Sequence, residues 1–302
     1  MEALLTALGD EVQDVDEETF HLFSQAAALP DLGMIDPTID SLELSIAGRD
    51  FTITQSPGAL QSTRKEGTTG AAVWQTSVRV AEWLASPNNV LFATGLLDES
   101  STVLELGSGI SGLVPCVLAA KVGAVVATDQ QHVLKTMRDN ITANVLHPAS
   151  RSPKHTRRKP NRSREQPASN INVVALDWEE DDIEKVLVAQ GFTEGVDVIV
   201  ACDCIYNYAL LKPLMQTCVD ICTLRRQQQQ QQGRDDRMDQ RPTVCVMAQQ
   251  LRQADVFEEW LQTAMRWFRV WRVPDVELTG VLRSGSGFAV HICVSRSADG
   301  SG

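Results

Sequence analysis

From Thr102 onward the chain repeats one pattern, a short apolar run followed by a helical stretch, and this pattern restricts the possible fold more than any other feature. Short apolar runs separated by helices are typical of βαβ units, in which a parallel sheet is buried between helices. We predict strands near 102–106, 123–128, 171–176, 196–202 and 243–248, and helices near 111–120, 131–144, 180–190, 208–224 and 254–265.

The end of the chain departs from this pattern. Two strand-like runs, Phe268–Val273 and Phe288–Val294, are joined by a segment that ends in a Gly/Ser loop and has no helical pattern. A parallel connection needs a crossover of a dozen or more residues, usually a helix, so these two strands must be antiparallel. The predicted fold class is therefore α/β: a Rossmann-like, seven-stranded mixed sheet with helices on both faces and an antiparallel last strand.

The region before the core divides into two parts. Residues 1–40 form an acidic segment with seven acids and no base in its first twenty positions, which predicts a mobile or loosely attached segment. Residues 41–66 form an extension in which apolar and polar residues alternate on both sides of Ala47-Gly48-Arg49, as in a β-hairpin. The remaining residues, 67–296, are assigned to the α/β core, with disordered insertions near 147–169, which is basic, and 225–241, which is rich in glutamine.

The strongest local motif is Val103-Leu-Glu-Leu-Gly-Ser-Gly-Ile-Ser-Gly112, a buried strand that enters a glycine-rich turn. Gly107, Ser108 and Gly109 let the backbone approach a ligand closely. Asp129 ends the next strand, 20 residues past Gly109, where a carboxylate can bind the ribose hydroxyls of an adenosine ligand. By itself this arrangement fits a nicotinamide, a flavin or S-adenosylmethionine.

Three features favour S-adenosylmethionine over nicotinamide. Glu105 lies two residues before the first glycine, where an acid can organise the region near the amino end of the cofactor. The second half of the chain lacks a separate substrate domain, and the antiparallel end is wrong for a dehydrogenase. A nicotinamide-dependent oxidoreductase remains the alternative from another enzyme class.

Two further polar segments follow predicted strands. Trp178, after Asp177, lies at the carboxyl edge of the sheet and is predicted to stack on adenine; the alternative is a loop anchor. Asp203 and Tyr206 follow the fourth strand, where a carboxylate can align an incoming amine and a phenol can flank it. Asp203 could also cap the next helix. Because no proline separates Asp203 from Tyr206, an adenine acceptor is disfavoured.

Charge and cysteine usage restrict the partners. The net charge is -12, and residues 151–166 alone carry +6, which leaves -18 on the remainder. An acidic body disfavours nucleic acid and suits a basic protein partner, although the basic stretch could bind RNA or an acidic partner.

Seven cysteines in mostly apolar runs indicate reduced thiols, and neither Cys202-x-Cys204 nor Cys218-x-x-x-Cys222 has a zinc-site spacing, so no metal is expected. No apolar run reaches membrane-span length and no signal peptide is present, so we expect a cytoplasmic protein. We also expect it to be a monomer.

Together, Thr69-Gly-Ala-Ala-Val-Trp74, Glu105 to Gly112, Asp177-Trp178 and Ala201-Cys-Asp-Cys-Ile-Tyr206 resemble methyltransferase family 16, the seven-strand protein-lysine methyltransferases, over roughly residues 40–295. The N-terminal part is most similar to members that modify a large-subunit ribosomal protein. The resemblance implies that Asp203 and Tyr206 flank the target lysine. It also implies cofactor contacts, which fall on Trp74, Gly107 to Gly109, Asp129, Trp178 and Ala201.

The residues by themselves assign Trp74 to the buried side of an amphipathic helix over Val73–Leu84, so its cofactor role rests on the resemblance alone. Three alternatives to lysine methylation stay open besides the oxidoreductase. These are transfer to RNA, transfer to a small molecule, and a non-catalytic adaptor that keeps the fold.

Overall fold

The computed structural model describes residues 1–26, 33–60, 69–146, 170–231 and 241–296. The strands are β1 (Ser41–Ile46), β2 (Arg49–Thr54), β3 (Thr102–Leu106), β4 (Ala124–Asp129), β5 (Ile171–Ala175), β6 (Val198–Cys202), β7 (Val244–Gln250), β8 (Phe268–Arg272) and β9 (Phe288–Ser295). The helices are α1 (Glu2–Leu8), α2 (Val15–Gln25), α3 (Pro57–Leu60), α4 (Gln75–Ala85), α5 (Val90–Ala93), α6 (Leu113–Leu118), α7 (Leu134–Leu146), α8 (Ile183–Ala189), α9 (Tyr208–Gln231) and α10 (Ala254–Trp267).

The main sheet has seven strands in the order β5-β4-β3-β6-β7-β9-β8. The five strands from β5 to β7 are parallel to their neighbours, whereas β9 is antiparallel to both β7 and β8. The predicted mixed sheet with a reversed last strand is therefore confirmed. The reversed strand lies inside the sheet, between β7 and β8, so its unusual direction is fixed by ladder hydrogen bonds on both sides.

The two faces of the sheet carry separate apolar clusters, as expected for strands buried on both sides. Alternate residues of β6 show this division, because Val198 and Val200 belong to the cluster beneath α4 and α6, whereas Ile199 and Ala201 belong to the cluster beneath α9 and α10. All five residues of β6 and all seven of β7 are buried. These rigid central strands place the polar residues that follow them.

The predicted hairpin is confirmed as β1 and β2, joined by Ala47 and Gly48. Both turn residues have positive φ, 50° and 78°, as a type I′ turn requires. Two asparagines of α7 attach the hairpin to the core. Asn140 exchanges two hydrogen bonds of 2.9 Å with the backbone of Thr54, and Asn144 exchanges bonds of 2.9 and 3.0 Å with that of Thr52.

The expectation of a loosely attached acidic N-terminus is wrong. Leu4 and Leu8 of α1 and Leu22 of α2 are buried in the two apolar clusters. Glu18 accepts a hydrogen bond from His291, with 2.9 Å between Oε1 and Nε2 when that nitrogen carries the proton, and lies 3.5 Å from Arg272. The acidic residues alternate with apolar ones at helical spacing, so the segment docks by its apolar face and by ion pairs.

The predicted insertion at 225–241 is also partly wrong, since α9 continues through the glutamines to Gln231. Glutamine is a good helix former, so the tract extends a helix that has already been nucleated. Residues 232–240, and the whole predicted insertion at 147–169, lie outside the described residues.

All seven cysteines are buried and unpaired with each other, in agreement with the expectation of reduced thiols. Within the described ranges, no helix is at once long enough and apolar enough to cross a bilayer.

Candidate active site

The glycine-rich loop lies between β3 and α6 and has the backbone conformation that its sequence predicts. Gly107 has a φ of 67°, and a Cβ on it would lie 2.9 Å from Cys204 Sγ and 3.4 Å from the ring of Trp178. Gly112 has a φ of 56°, and a Cβ there would lie 2.5 Å from Ile141 of α7. Both positions therefore need glycine for conformation and for space. Gly112 makes room for α7.

Asp129, at the end of β4, holds this loop from the neighbouring strand. Its Oδ2 accepts a hydrogen bond of 2.8 Å from the Gly109 N–H, and its Oδ1 accepts one of 2.8 Å from Gln130 N–H. Burial raises the pKa of Asp129, and the two backbone donors partly offset that effect. The carboxylate borders the cavity described below, so it has remaining acceptor positions for a ligand there.

Trp178 lies on the other side of the loop, with its ring next to the Cα of Gly107. The preceding residue, Asp177, accepts a hydrogen bond of 3.1 Å from the Gln130 amide, which joins the ends of β4 and β5. Trp178 lies at the carboxyl edge of the sheet, as predicted, and lines the cavity, whereas its stacking on adenine stays a prediction.

Trp74 immediately precedes α4 and lines the same cavity as Asp129 and Trp178. Its indole Nε1–H donates to the Thr69 carbonyl at 2.9 Å, and the Arg252 guanidinium lies 5.3 Å from its ring centroid. The resemblance placed Trp74 at the site, whereas the helical pattern alone assigned it to the core. The helical pattern failed because Trp74 is the cap and not an interior residue of α4.

Glu105 and Ala201 lie in the strands beneath the cavity, and neither is among its described lining residues. Ala201 is 1% exposed, between Leu106 and Met247 on adjacent strands. Burial raises the pKa of Glu105 to about 8. The neighbouring Ser108 hydroxyl interacts with the Glu105 carboxyl group and partly offsets that rise.

Asp203 follows β6 in the left-handed conformation, with a φ of 62°, which few residues other than glycine adopt. Its backbone N–H donates to the Ala248 carbonyl at 2.8 Å, and this bond ties the strained residue to β7. The side chain is clamped by Arg252, whose two terminal nitrogens donate to Oδ1 at 2.7 Å and to Oδ2 at 2.5 Å. The backbone N–H of Gln250 donates to Oδ1 at 3.3 Å.

This geometry revises one alternative for Asp203. A role as the cap of α9 is not observed, because the carboxylate is bound by Arg252 and Gln250. Tyr206, 40% exposed, stands at the edge of the same cavity, with its hydroxyl 3.3 Å from that of Thr69. The two predicted transfer residues therefore border one cavity.

That cavity has a volume of about 1210 Å³ and spans the carboxyl edge from β4 and β5 to β7. Ligands of open α/β sheets bind at this edge. Its polar and aromatic lining includes Thr69, Trp74, Gly107, Ser108, Gly109, Asp129, Asp177, Trp178, Asp203, Tyr206, Gln249, Gln250 and Arg252, and an apolar portion includes Phe23, Val256 and Phe257.

Sequence reasoning missed Arg252, Gln249 and Phe23. Gln249 lies near the end of β7 and Arg252 follows that strand. Ligands bind where parallel strands end, which is why Asp203 was selected after β6, and the same reasoning would have selected the polar residues of Gln249-Gln-Leu-Arg252. Phe23 had no signal, since nothing in the sequence brings residue 23 to residue 257.

The sheet order, the glycine-rich loop after β3 and the acid that ends β4 define the Rossmann-like class of methyltransferases. The sequence profile of the lysine methyltransferase family matches residues 56–229. The chain belongs to that family, as its motifs predicted. Membership supports S-adenosylmethionine as the cofactor, so the nicotinamide alternative is wrong.

Three relatives are similar over most of the chain. A Schizosaccharomyces pombe protein named diaminohydroxyphosphoribosylamino-pyrimidine deaminase is 30% identical over 86% of the chain, which spans only 53% of that longer protein. Ribosomal lysine N-methyltransferase 5 of Zygosaccharomyces rouxii is 30% identical over 72% of this chain and 70% of its own length. The Kluyveromyces lactis protein of the same name is 29% identical over 87% of this chain and 94% of its own length.

The described residues fit the cofactor on observations independent of these relatives. The loop at Gly107 is a cradle that a Cβ would fill. The Ser108 hydroxyl lines the same cavity, and the Asp129 carboxylate lies beside the loop. The Asp129 carboxylate is a suitable acceptor for the ribose hydroxyl groups of S-adenosylmethionine.

Proposed function

We propose that this protein transfers a methyl group from S-adenosylmethionine to the ε-amine of a lysine in a large-subunit ribosomal protein. The observation that carries the proposal is the clamped Asp203 carboxylate, which borders the same cavity as Tyr206 and the glycine-rich loop. A fixed hydrogen-bond acceptor beside an aromatic side chain suits an amine nucleophile.

When bound, S-adenosylmethionine supplies an electrophilic methyl group on a sulfonium. In the proposal, Asp129 binds the ribose, Trp178 contacts the adenine, and Glu105 and Ser108 lie near the amino-acid end. Trp74, Gly107 and Gly109 complete the cradle, with Ala201 beneath it.

Asp203 acts in this proposal as an orienting group. A carboxylate offers about four acceptor positions. Arg252 and the Gln250 N–H occupy three of them, so one position on Oδ2 remains for the hydrogen of an incoming amine. Entry into the cavity removes water from the lysine, which lowers the amine pKa from about 10.4 and favours the neutral nucleophile.

Charge and kinship support the ribosomal acceptor. A body with net charge -12 attracts basic proteins, which include many ribosomal proteins. Two of the relatives reported above are named for ribosomal lysine methylation. We infer a cytoplasmic enzyme from the ribosomal names of these relatives.

The proposal is tested by incubating the purified chain with tritiated S-adenosylmethionine and a yeast extract that contains large ribosomal subunits, RNA and small molecules. We expect label in one protein band and methyl-lysine after its digestion. The Asp203→Asn variant should lose this label yet keep its affinity for S-adenosylmethionine within a few-fold.

Asp197→Asn is the matched control, because Asp197 pairs with Arg225 at 2.6 Å outside the cavity. This variant should keep the label. Label confined to RNA or to small molecules would exclude a protein acceptor.

A further inference from the structure

The cavity extends past the proposed transfer residues into an apolar portion that the family motifs do not include. Its wall is formed by Phe23 of α2 and by Val256 and Phe257 of α10, with Gln249 of β7 at its base. We propose that this portion binds the acceptor polypeptide, that the Gln249 amide is its polar anchor, and that the acceptor is a basic segment. This inference rests on the proposed lysine methylation and names how the acceptor is held.

Gln249 is the observation that points to a ligand. The side chain is 2% exposed and borders the cavity, and neither its amide nitrogen nor its amide oxygen has a partner among the described residues. Native proteins rarely leave both ends of a buried amide unpaired. An amide offers a donor and an acceptor side by side, which matches the C=O and N–H of a peptide group.

The strand fixes which way Gln249 faces. Residues alternate between the two faces of a strand, so Gln249 and Gln250 point to opposite sides of β7. The Gln250 amide oxygen accepts from Arg252 at 2.9 Å, on the side of the clamped Asp203. Gln249 therefore faces the other side, where α2 and α10 pack.

Helix α2 is held rigidly enough to form a binding wall. Val12, just before it, donates its N–H to the Val270 carbonyl at 2.8 Å, and Glu18 is 2.9 Å from His291. The Phe23 and Phe257 rings lie 5.8 Å apart, within the range of a direct aromatic contact. The N-terminal segment is thus part of the acceptor site in this proposal.

The charge beside this portion gives the class of the acceptor. Tyr208, the first residue of α9, is 52% exposed and is hydrogen bonded to Asp255 at the start of α10. Glu258 and Glu259 are close enough to raise the pKa of Tyr208 further, after that hydrogen bond and burial. Asp255, Glu258 and Glu259 are exposed and flank the lining residues Val256 and Phe257 along α10. Three carboxylates so close to this portion favour a segment with positive charges around the target lysine.

The experiment measures initial methylation rates with the full chain, titrating the protein extract from yeast large ribosomal subunits at saturating S-adenosylmethionine. Gln249→Leu keeps the size of the side chain but removes the amide, and Phe23→Ala opens the wall. We expect each to raise the apparent KM for the extract about ten-fold or more, with kcat within about three-fold of wild type. The calorimetric Kd for S-adenosylmethionine should stay within about two-fold.

Phe20→Ala is the matched control, since Phe20 lies on the same helix, is 74% exposed and does not line the cavity. It should leave KM unchanged. A charge test pairs Glu258→Lys/Glu259→Lys with the distant double variant Glu43→Lys/Glu99→Lys, which has the same net charge. Only the first should raise KM, and the increase should shrink in high salt.

If wild type labels no protein, the proposed function fails and this inference fails with it. If wild type labels protein but Gln249→Leu and Phe23→Ala have wild-type KM, the acceptor site is wrong and the methyltransferase activity stands. A cofactor Kd that rises with KM, or an equal effect of Phe20→Ala, would also overturn the inference.

Discussion

At the scale of single residues, the site depends on Arg252 as much as on Asp203. The guanidinium binds both carboxylate oxygens and also lies over the Trp74 ring, so one side chain joins the ends of β6 and β7 to the wall before α4. The Asp203 side chain is 4% exposed and the Arg252 side chain 18%, so the pair is largely shielded from water. Such pairs stabilise a geometry more than they stabilise the fold.

We expect Arg252→Gln to lose most of kcat while the KM for S-adenosylmethionine changes little. The carboxylate would keep a buried charge without its partner, and stability should fall by about 3 kcal/mol. Arg252→Lys keeps the charge but not the planar fork, so it should be intermediate. Steady-state kinetics and urea unfolding measure both effects.

Arg225→Gln is the control for stability, because it breaks the partly buried pair with Asp197 away from the cavity. It should cost stability without lowering kcat. Equal kcat losses in the Arg225 and Arg252 variants would mean that Arg252 has only a structural role.

Glu105 gives a prediction about pH. Burial raises its pKa to about 8 in the folded protein, whereas the unfolded value is near 4.5. Because the pKa of Glu105 is higher in the folded protein, its contribution to the free energy of unfolding is complete below about pH 4.5 and is lost as the pH rises toward 8. Glu105→Gln removes this titration, so its stability advantage over the wild type should grow by a few kcal/mol between pH 5 and pH 8.

Urea unfolding of the cofactor-free protein at several pH values measures this advantage. A difference that stays constant across the range would show that the pKa of Glu105 in the folded protein is not raised above its unfolded value. The same variant should bind S-adenosylmethionine more weakly, since it lacks the carboxylate beneath the loop.

At the scale of elements, α2 attaches to the sheet through a carboxylate that the motif analysis did not use. Burial by itself would raise the pKa of Glu18, but its hydrogen bond to His291 and the charges of His291 and Arg272 lower it below the ordinary value. A lowered folded pKa contributes stability above the unfolded pKa, near 4.5, and that stability is lost as the pH falls through the folded pKa.

We therefore expect Glu18→Gln to loosen α2 at neutral pH, with faster amide exchange over Val15–Gln25 and little change in β3 or β4. As the pH falls below about 4, wild type should lose its advantage and approach the variant. Hydrogen exchange read by mass spectrometry at both pH values gives the comparison. Uniform exchange changes across the sheet would indicate global destabilisation and not local undocking.

At the scale of the whole molecule, cofactor binding should stabilise the fold because loops from several strands line the cavity. A ligand at about 100 times its Kd adds roughly 2.7 kcal/mol to the free energy of unfolding. We expect S-adenosylmethionine to raise the Tm by several degrees and NAD to leave it unchanged. Differential scanning fluorimetry makes the comparison, and a larger shift with NAD would contradict the assignment of the cofactor.

Much of the site was predictable because its residues follow strands directly. Gly107, Asp129, Trp178 and Asp203 each lie within a few residues of a strand end, and parallel strands bring those ends to one edge. Ala201 shows the limit of this reasoning, since it lies one residue inside β6 and is covered by its neighbours. The roles of these residues toward the cofactor and the acceptor stay predictions.

The amino-acid pattern alone determined the α/β class, the reversed strand β9, the hairpin and the glycine-rich loop, because each depends on residues that are near in sequence. Only the tertiary structure decided that α1 and α2 dock, that Arg252 clamps Asp203 and that Phe23 meets Phe257. These contacts join residues that are 49 to 273 positions apart. Pairing over such distances depends on how the sheet is ordered and where its helices pack, and local periodicity carries no information about either.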